Sequence, residues 1–188
     1  MSMRPWRTRS SRTIYQNPWL HLREDLVELP SGRTTIYGVV HTGACVGVLP
    51  FLDPDTVVLV RQYRYVAGRH TWEMPTGGVG PGESVTDAAQ RELAEESGYR
   101  AGRLEPVCVY HTSKSVMDET AHLFLASDLT RAQDAPEPDE TESFEVRPLR
   151  FEEVLGMVDT GEIVDSMTII AVLQAERWRA GRRPAQDG

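Results

Sequence analysis

Three carboxylates, Glu92, Glu95 and Glu96, crowd one short stretch of the chain, downstream of the run Gly77-Gly-Val-Gly-Pro-Gly-Glu83. The glycines and Pro81 exclude regular helix or strand in that run. Ser84 with Asp87 three residues on is a capping-box arrangement, and Gly98 is a suitable helix stop. The segment therefore predicts a helix from about Ser84 to Ser97. At about 100° per residue, Val85, Ala88, Ala89, Glu92, Glu95 and Glu96 fall on one side. A stripe of small apolar residues, which should be buried, runs straight into three carboxylates. Gathering such charges near an interior is costly unless something neutralises them. Arg91 alone does not suffice. A divalent cation held by oxygen ligands does, and Mg2+ typically takes one or two carboxylates together with substrate phosphates. The competing reading is a solvated glutamate face on an ordinary surface helix.

The spacing decides between them. Gly77, Glu83, Arg91-Glu92-Leu93, Glu95-Glu96 and Gly98-Tyr99 stand at the fixed positions of a pattern that resembles the signature box of the Nudix hydrolases. At roughly 1/15 per specified residue, such a match arises by chance on the order of once in 10^8 positions. The resemblance implies a loop-helix-loop that binds divalent metal, Mg2+ or Mn2+, and hydrolyses nucleoside diphosphates linked to another group. Glu92 and Glu96 would be ligands, with Glu95 beside them and the Thr76 carbonyl joining. Gly77, Glu83, Arg91 and Gly98 would hold the box in shape.

The elements that must position this box can be read on either side of it. Trp19 to Leu29, the turn signal Pro30-Ser31-Gly32, and Arg33 to His41 predict a small antiparallel sheet starting near Thr13. Met1 to Arg12 reads as a basic tail. It has no apolar region of the kind a secretory signal carries, and a cytoplasmic protein is expected. Ala44 to Phe51 and Thr56 to Tyr65 read as strands joined by Asp53-Pro54-Asp55. The continuous run Val57-Val-Leu-Val suggests burial on both faces. Val107 to Tyr110, His122 to Ala126 and Phe144 to Leu149 read as further strands. Phe151 to Thr160 and Val164 to Arg182 read as helices, the second with Met167, Ile170, Ala171 and Leu173 to Ala175 on its apolar face. Asp165-Ser166-Met167-Thr168 restarts the helix after Gly161.

Arg61-Gln-Tyr-Arg64 at a strand end could receive a diphosphate or pair with the protein's own carboxylates. Followed by Trp72-Glu73-Met74-Pro75, it resembles the ADP-ribose pyrophosphatase branch of the Nudix family. That resemblance implies Arg64 and Glu73 at the substrate. It also implies an N-terminal sheet that swaps into a homodimer, with Arg33, Tyr15 and Trp19 contributing substrate contacts. Many members of the branch carry a Ser-Pro-Gly-type segment after the box; here Thr112-Ser113-Lys114-Ser115-Val116 has no proline, which weakens the case for ADP-ribose itself but not for hydrolysis. Glu119, next to Asp118, is a candidate ribose or metal-water partner. The acidic loop before Phe144 is where the branch often places its general base, so Glu140 is the first candidate, with Glu142 and Glu95 behind it.

The composition is compatible. The chain has 188 residues, enough for one catalytic domain with a small appended piece, and is 40% hydrophobic and 26% charged. A net charge of −8 argues against a nucleic-acid binder. No apolar run is long enough to span a membrane. Cys45 and Cys108 sit in apolar stretches without a thiol motif and read as reduced. No Gly-x-Ser-x-Gly elbow or cysteine-centred motif supports a covalent nucleophile. The expected architecture is an α/β/α sandwich with a mixed sheet over residues 43–188, preceded by the N-terminal sheet over 1–42. The expected activity is cleavage of the diphosphate of ADP-ribose or a related nucleoside diphosphate sugar. GDP-mannose or UDP-glucose hydrolysis, a ligand-sensing domain without turnover, and an isopentenyl diphosphate isomerase are the alternatives. The intact box argues against the last two.

Overall fold

The computed structural model describes residues 4–133 and 145–181. The chain forms two compact units, Met1–Gly43 with His111–Thr120, and Ala44–Tyr110 with Ala121–Gly188.

In the first unit, β1 (Arg7–Gln16), β2 (His21–Glu28) and β3 (Thr34–His41) form an antiparallel sheet in that order. The strand expected from Thr13 thus begins at Arg7, inside the stretch read as a basic tail. The reason lies across the ladder: Arg9 pairs with Glu28, and Arg12 donates to Glu24 at 2.7 Å, so opposite charges on β2 give a polar strand its partners. The β2–β3 turn uses Gly32 at φ 82°, a conformation that favours glycine. Residues 111–120 lie along β3: Val40 N–H donates to the Val116 carbonyl at 2.7 Å and Asp118 N–H to the Val40 carbonyl at 3.2 Å. Asp118 also accepts from Thr42 N–H at 3.1 Å and pairs with His41. Several large apolar side chains of this unit stay in water, among them Trp6, Ile36 and Trp19, the last 85% exposed.

The second unit is built from β4 (Ala44–Asp53), β5 (Thr56–Arg64), β6 (Arg69–Glu73), β7 (Thr76–Gly78), α1 (Val85–Ser97), β8 (Tyr99–His111), β9 (Thr120–Arg131), β10 (Glu145–Arg150), α2 (Phe151–Asp159) and α3 (Ser166–Arg179). The sheet runs β10-β5-β4-β9-β8. Period-two alternation divides its side chains between two cores. Val46 and Val48 of β4 and Phe124 and Ala126 of β9 pack with Ala88, Ala89 and Leu93 of α1. Leu49, Leu123 and Leu125 point the other way, into a core with Val154 and Met157 of α2 and Ala171, Val172 and Ala175 of α3. Helices thus cover both faces of a mixed sheet, as an α/β/α sandwich requires. Val57 to Val60 are all 0% exposed, in keeping with their continuous apolar run.

Two details differ from the sequence-based expectation. The buried stripe of α3 is Thr168, Ala171, Val172 and Ala175, whereas Leu173 is exposed. Small residues at these positions let the helix approach the sheet closely, and size outweighs hydropathy there. The short strands β6 and β7 were also not expected. They exist because the sheet splits: β5 leaves β4 after Val57 and takes β6 (Val60↔Glu73 to Arg64↔Arg69), while β4 takes β7 (Gly47↔Thr76). The segment from Glu73 to Thr76 bridges the split.

Candidate active site

The box helix starts and stops where its capping residues sit. Ser84 Oγ accepts from Asp87 N–H at 3.1 Å, and Gly98, at φ 72°, closes the C-terminus through a bond from its N–H to the Ala94 carbonyl at 3.0 Å. Leu93 and Ala94 are buried beside Ala88 and Ala89, so the core stripe is broader than the sequence projection allowed. Glu96 lies at its margin and is only 5% exposed; Glu92 and Glu95 are half-buried.

Arg91 is the hub of the box. Its five N–H donors all engage: Nε and Nη2 reach the two oxygens of Glu83 at 2.9 and 3.0 Å, and Nη2 also reaches the Gly78 carbonyl at 2.9 Å. Nη1 donates to Glu92 at 2.7 Å and to Glu95 at 3.0 Å. Glu83 in turn accepts from Gly80 N–H at 2.9 Å. One guanidinium therefore ties the glycine loop to the helix and touches two of the three clustered carboxylates. The fork from Arg91, then the Gly80 amide, holds the Glu83 carboxyl down at about 2, and the Glu83 bonds hold the Arg91 charge more firmly still.

Glu96 Oε2 accepts from Thr76 N–H at 2.9 Å, which sets the start of β7 against the helix. Gly77 follows, and a Cβ there would fall 1.9 Å from Glu92 Oε1, so only glycine lets this carboxylate occupy its place. At the end of β5, Arg64 donates Nε and Nη2 to Glu73 at 2.9 and 2.5 Å. Glu73 is 3% exposed and also takes the Thr71 hydroxyl. These bonds to Glu73 come first in keeping Arg64 charged, with Glu96 and Asp165 adding through space.

Arg64, Glu73, Thr76, Gly77, Glu83, Arg91, Glu92, Glu95, Glu96 and Gly98 all belong to the second unit. Tyr15, Trp19, Arg33 and Glu119 belong to the first. There Tyr15 and Trp19 are exposed on and beside β1, and the Arg33 carbonyl closes the β2–β3 turn by accepting from Leu29 N–H at 2.8 Å. Glu140 and Glu142 lie outside the described residues. Sequence reading passed over Asp165 and Thr168 as a helix start alone. Thr168 is fully buried and takes the Met74 N–H at 3.0 Å; the signal was an Asp-x-x-Thr cap ahead of an apolar helix.

Among the described residues, no three His, Cys, Asp or Glu side chains form a ready-made metal cage. Glu92 and Glu95 are instead drawn onto Arg91. The donor chemistry still suits a hard cation: carboxylate oxygens from Glu92, Glu95 and Glu96 on one helix, with the Glu92 carboxylate seated against Gly77.

Comparison with known proteins agrees with this arrangement. The NUDIX domain profile matches residues 41–166, and the nucleoside diphosphate sugar hydrolase N-terminal domain profile matches residues 6–40. The ADP-ribose pyrophosphatase of Bacillus subtilis (strain 168) is 32% identical over 166 residues, covering 88% of this chain and 90% of that protein. The methanol dehydrogenase activator of Bacillus methanolicus shows the same identity and the same coverage. A crystal structure of an ADP compounds hydrolase shares the fold, with a TM-score of 0.86 at 22% identity over 97% of this chain and 98% of that one. With its box intact and the two profiles matching adjoining stretches from residue 6 to residue 166, the chain belongs to the NUDIX family and is a Nudix hydrolase of the branch related to ADP-ribose pyrophosphatases and nucleoside diphosphate sugar hydrolases.

Proposed function

We propose that the protein hydrolyses the diphosphate linkage of ADP-ribose or a related nucleoside diphosphate sugar, giving a nucleoside monophosphate and a sugar phosphate, with Mg2+ or Mn2+ as cofactor. The observation that carries this reading is the pairing of Arg64 with buried Glu73, three residues before Thr76 and its bond to Glu96. A cationic fork and a carboxylate row are joined by one short segment, as a diphosphate flanked by cation-binding groups needs. Glu73 takes the Nε and Nη2 side of the guanidinium, so an incoming phosphate would meet the rest of a side chain that is 43% exposed.

Glu92 and Glu96, with Glu95, would hold the cation. When bound, it supplies charge neutralisation at the phosphate oxygens and an acidified water. Arg64 orients the diphosphate and offsets charge on the departing phosphate. A carboxylate then removes a proton from the attacking water; Glu140 is the first candidate and Glu142 and Glu95 the others. Replacing Glu140 with Gln is expected to cost about 10²- to 10⁴-fold in kcat, the usual worth of a general base. A loss under about threefold would move the role elsewhere.

Incubation with a panel of nucleoside diphosphate compounds, products identified by mass spectrometry, tests the substrate assignment. ADP-ribose and ADP-sugars should yield AMP; preferential cleavage of GDP-mannose or UDP-glucose would replace the base assignment. Turnover should stop in excess chelator and return on adding Mg2+. Full turnover in chelator would remove the metal role.

We also propose a homodimer formed through the first unit. Trp6, Ile14, Trp19 and Ile36 leave more apolar surface wet than a three-stranded sheet can carry easily. A twofold dimer is the commonest way to cover such a surface. Light scattering at micromolar protein should give about twice the chain mass of 21.1 kDa. A single chain mass would overturn the dimer.

A further inference from the structure

Asp165 caps α3 and Thr168 lies in its first turn, both well separated in sequence from the box. Thr168 is 0% exposed, unusual for a polar residue in the first turn of a helix. Its N–H and its hydroxyl both donate to Asp165 Oδ2, each at 2.7 Å. An ionised carboxylate accepts only, so it fixes the direction of the hydroxyl proton. The lone pairs of Thr168 Oγ1 are thereby turned outward, and the Met74 N–H donates to them at 3.0 Å.

Met74 is the residue for which this matters. It is fully buried, in the bridge across the sheet split, where the ladder offers its amide no strand partner. Pro75 has no N–H, and its carbonyl accepts from Val48 N–H at 2.9 Å on β4. The bridge is thus held by one side-chain bond at Met74 and one backbone bond at Pro75. Immediately before it stands Glu73, which grips Arg64; immediately after it stands Thr76, whose amide grips Glu96.

We propose that Thr168, polarised by Asp165, is a positioning residue of the hydrolytic site: its hydroxyl holds the Met74 amide and so sets the distance between the Arg64–Glu73 fork and the Glu96 carboxylate. The inference rests on the functional reading above, because it assigns the bridge to the spacing of phosphate- and cation-binding groups. A helix cap with no other role would leave that spacing untouched.

The test compares T168V, which keeps the shape and loses the hydroxyl, with T168S, which restores it. Steady-state kinetics use the best substrate of the panel at saturating Mg2+. Mn2+ binding to the substrate-free protein is read by electron paramagnetic resonance. Folded T168V is expected to lose about 10- to 100-fold in kcat, the range set by small displacements of a catalytic group, with KM within about threefold. Its Mn2+ affinity should fall about tenfold, as when an outer support of a metal ligand is removed. T168S should recover both to within about threefold. Folded T168V with kcat and Mn2+ affinity within twofold of the parent would overturn the proposal. So would a T168S variant as impaired as T168V. If T168V does not fold, D165N decides, since Asn still caps the helix but does not force the hydroxyl direction; parental kcat and Mn2+ affinity there would overturn it equally. A parent that cleaves nothing in the panel defeats the functional reading instead, and the Mn2+ titrations then judge the positioning role alone.

Discussion

Glu96→Gln is expected to reduce kcat by about 10²- to 10³-fold while leaving the fold in place. Glu96 is buried, and one of its oxygens accepts the Thr76 amide. Glutamine has the same size and can still accept that bond through its carbonyl oxygen, so the join between α1 and β7 survives. What disappears is the negative charge. Charge stabilisation by a metal at a transferring phosphate is worth several kcal/mol, and each 1.36 kcal/mol is a decade in rate. On the proposal that Glu96 holds the cation, its loss should forfeit about 3 to 4 kcal/mol of that stabilisation. Circular dichroism and thermal melting should be close to those of the parent, and raising Mg2+ should recover part of the rate. Normal turnover at low Mg2+ would show that Glu96 holds no cation.

Arg91→Ala should damage both stability and activity. The substitution takes the guanidinium from Glu83, Glu92 and Glu95 and releases the Gly78 carbonyl, leaving Glu83 with the Gly80 amide. Hydrogen bonds to charged groups are worth about 1.5 to 3 kcal/mol each, but Arg91 is 36% exposed and water screens its contacts. A net loss of about 2 kcal/mol is expected, or roughly 4 to 8 °C in Tm for a chain of this size. Activity should fall further than stability, because the carboxylates of the box lose their spacing. Arg91→Lys should rescue little, since an ammonium cannot fork onto both oxygens of Glu83.

Acid titration of the parent provides a separate reading of the same pair. The Glu83 carboxyl is depressed to about 2 in the folded protein. Its contribution is therefore fully present above the unfolded value of about 4.5 and is lost as pH falls through the folded value. Between those limits the parent should lose stability more steeply than Arg91→Ala. Parallel pH–stability curves for the two proteins would contradict the pairing.

Much of this site was written in local sequence. The box helix, its Ser84 cap and its Gly98 stop all follow from residues within one turn of the feature they set. The two-sided burial of Val57 to Val60 and the helices flanking the sheet follow equally from periodicity and element order. What escaped was what depends on partners far along the chain. The charges of Arg9 and Arg12 read as a tail because Glu28 and Glu24, which make β1 a strand, belong to another strand. β6 and β7 escaped because they answer a gap between β4 and β5, which no local pattern encodes. Glu73 carried no sign that it would be buried on Arg64. Thr168 looked like a cap because its second partner, the Met74 amide, lies 94 positions away.

The split sheet has a consequence for the energetics of opening. Val57 to Val60 sit at 0% exposure in a strand paired along its length with β10, so their amides should exchange with solvent only through a large opening of the unit. β7 is three residues long, with partly or fully exposed positions, and is anchored by few bonds. Its amides should exchange through a local fluctuation of much lower free energy. The carboxylate row thus faces a segment that can breathe while the central strands stay shut. A ligand gripping both Arg64 and Glu96 would tie down that fluctuation, and its binding would be visible as slowed deuterium uptake at Thr76 to Gly78 with no change at Val57 to Val60.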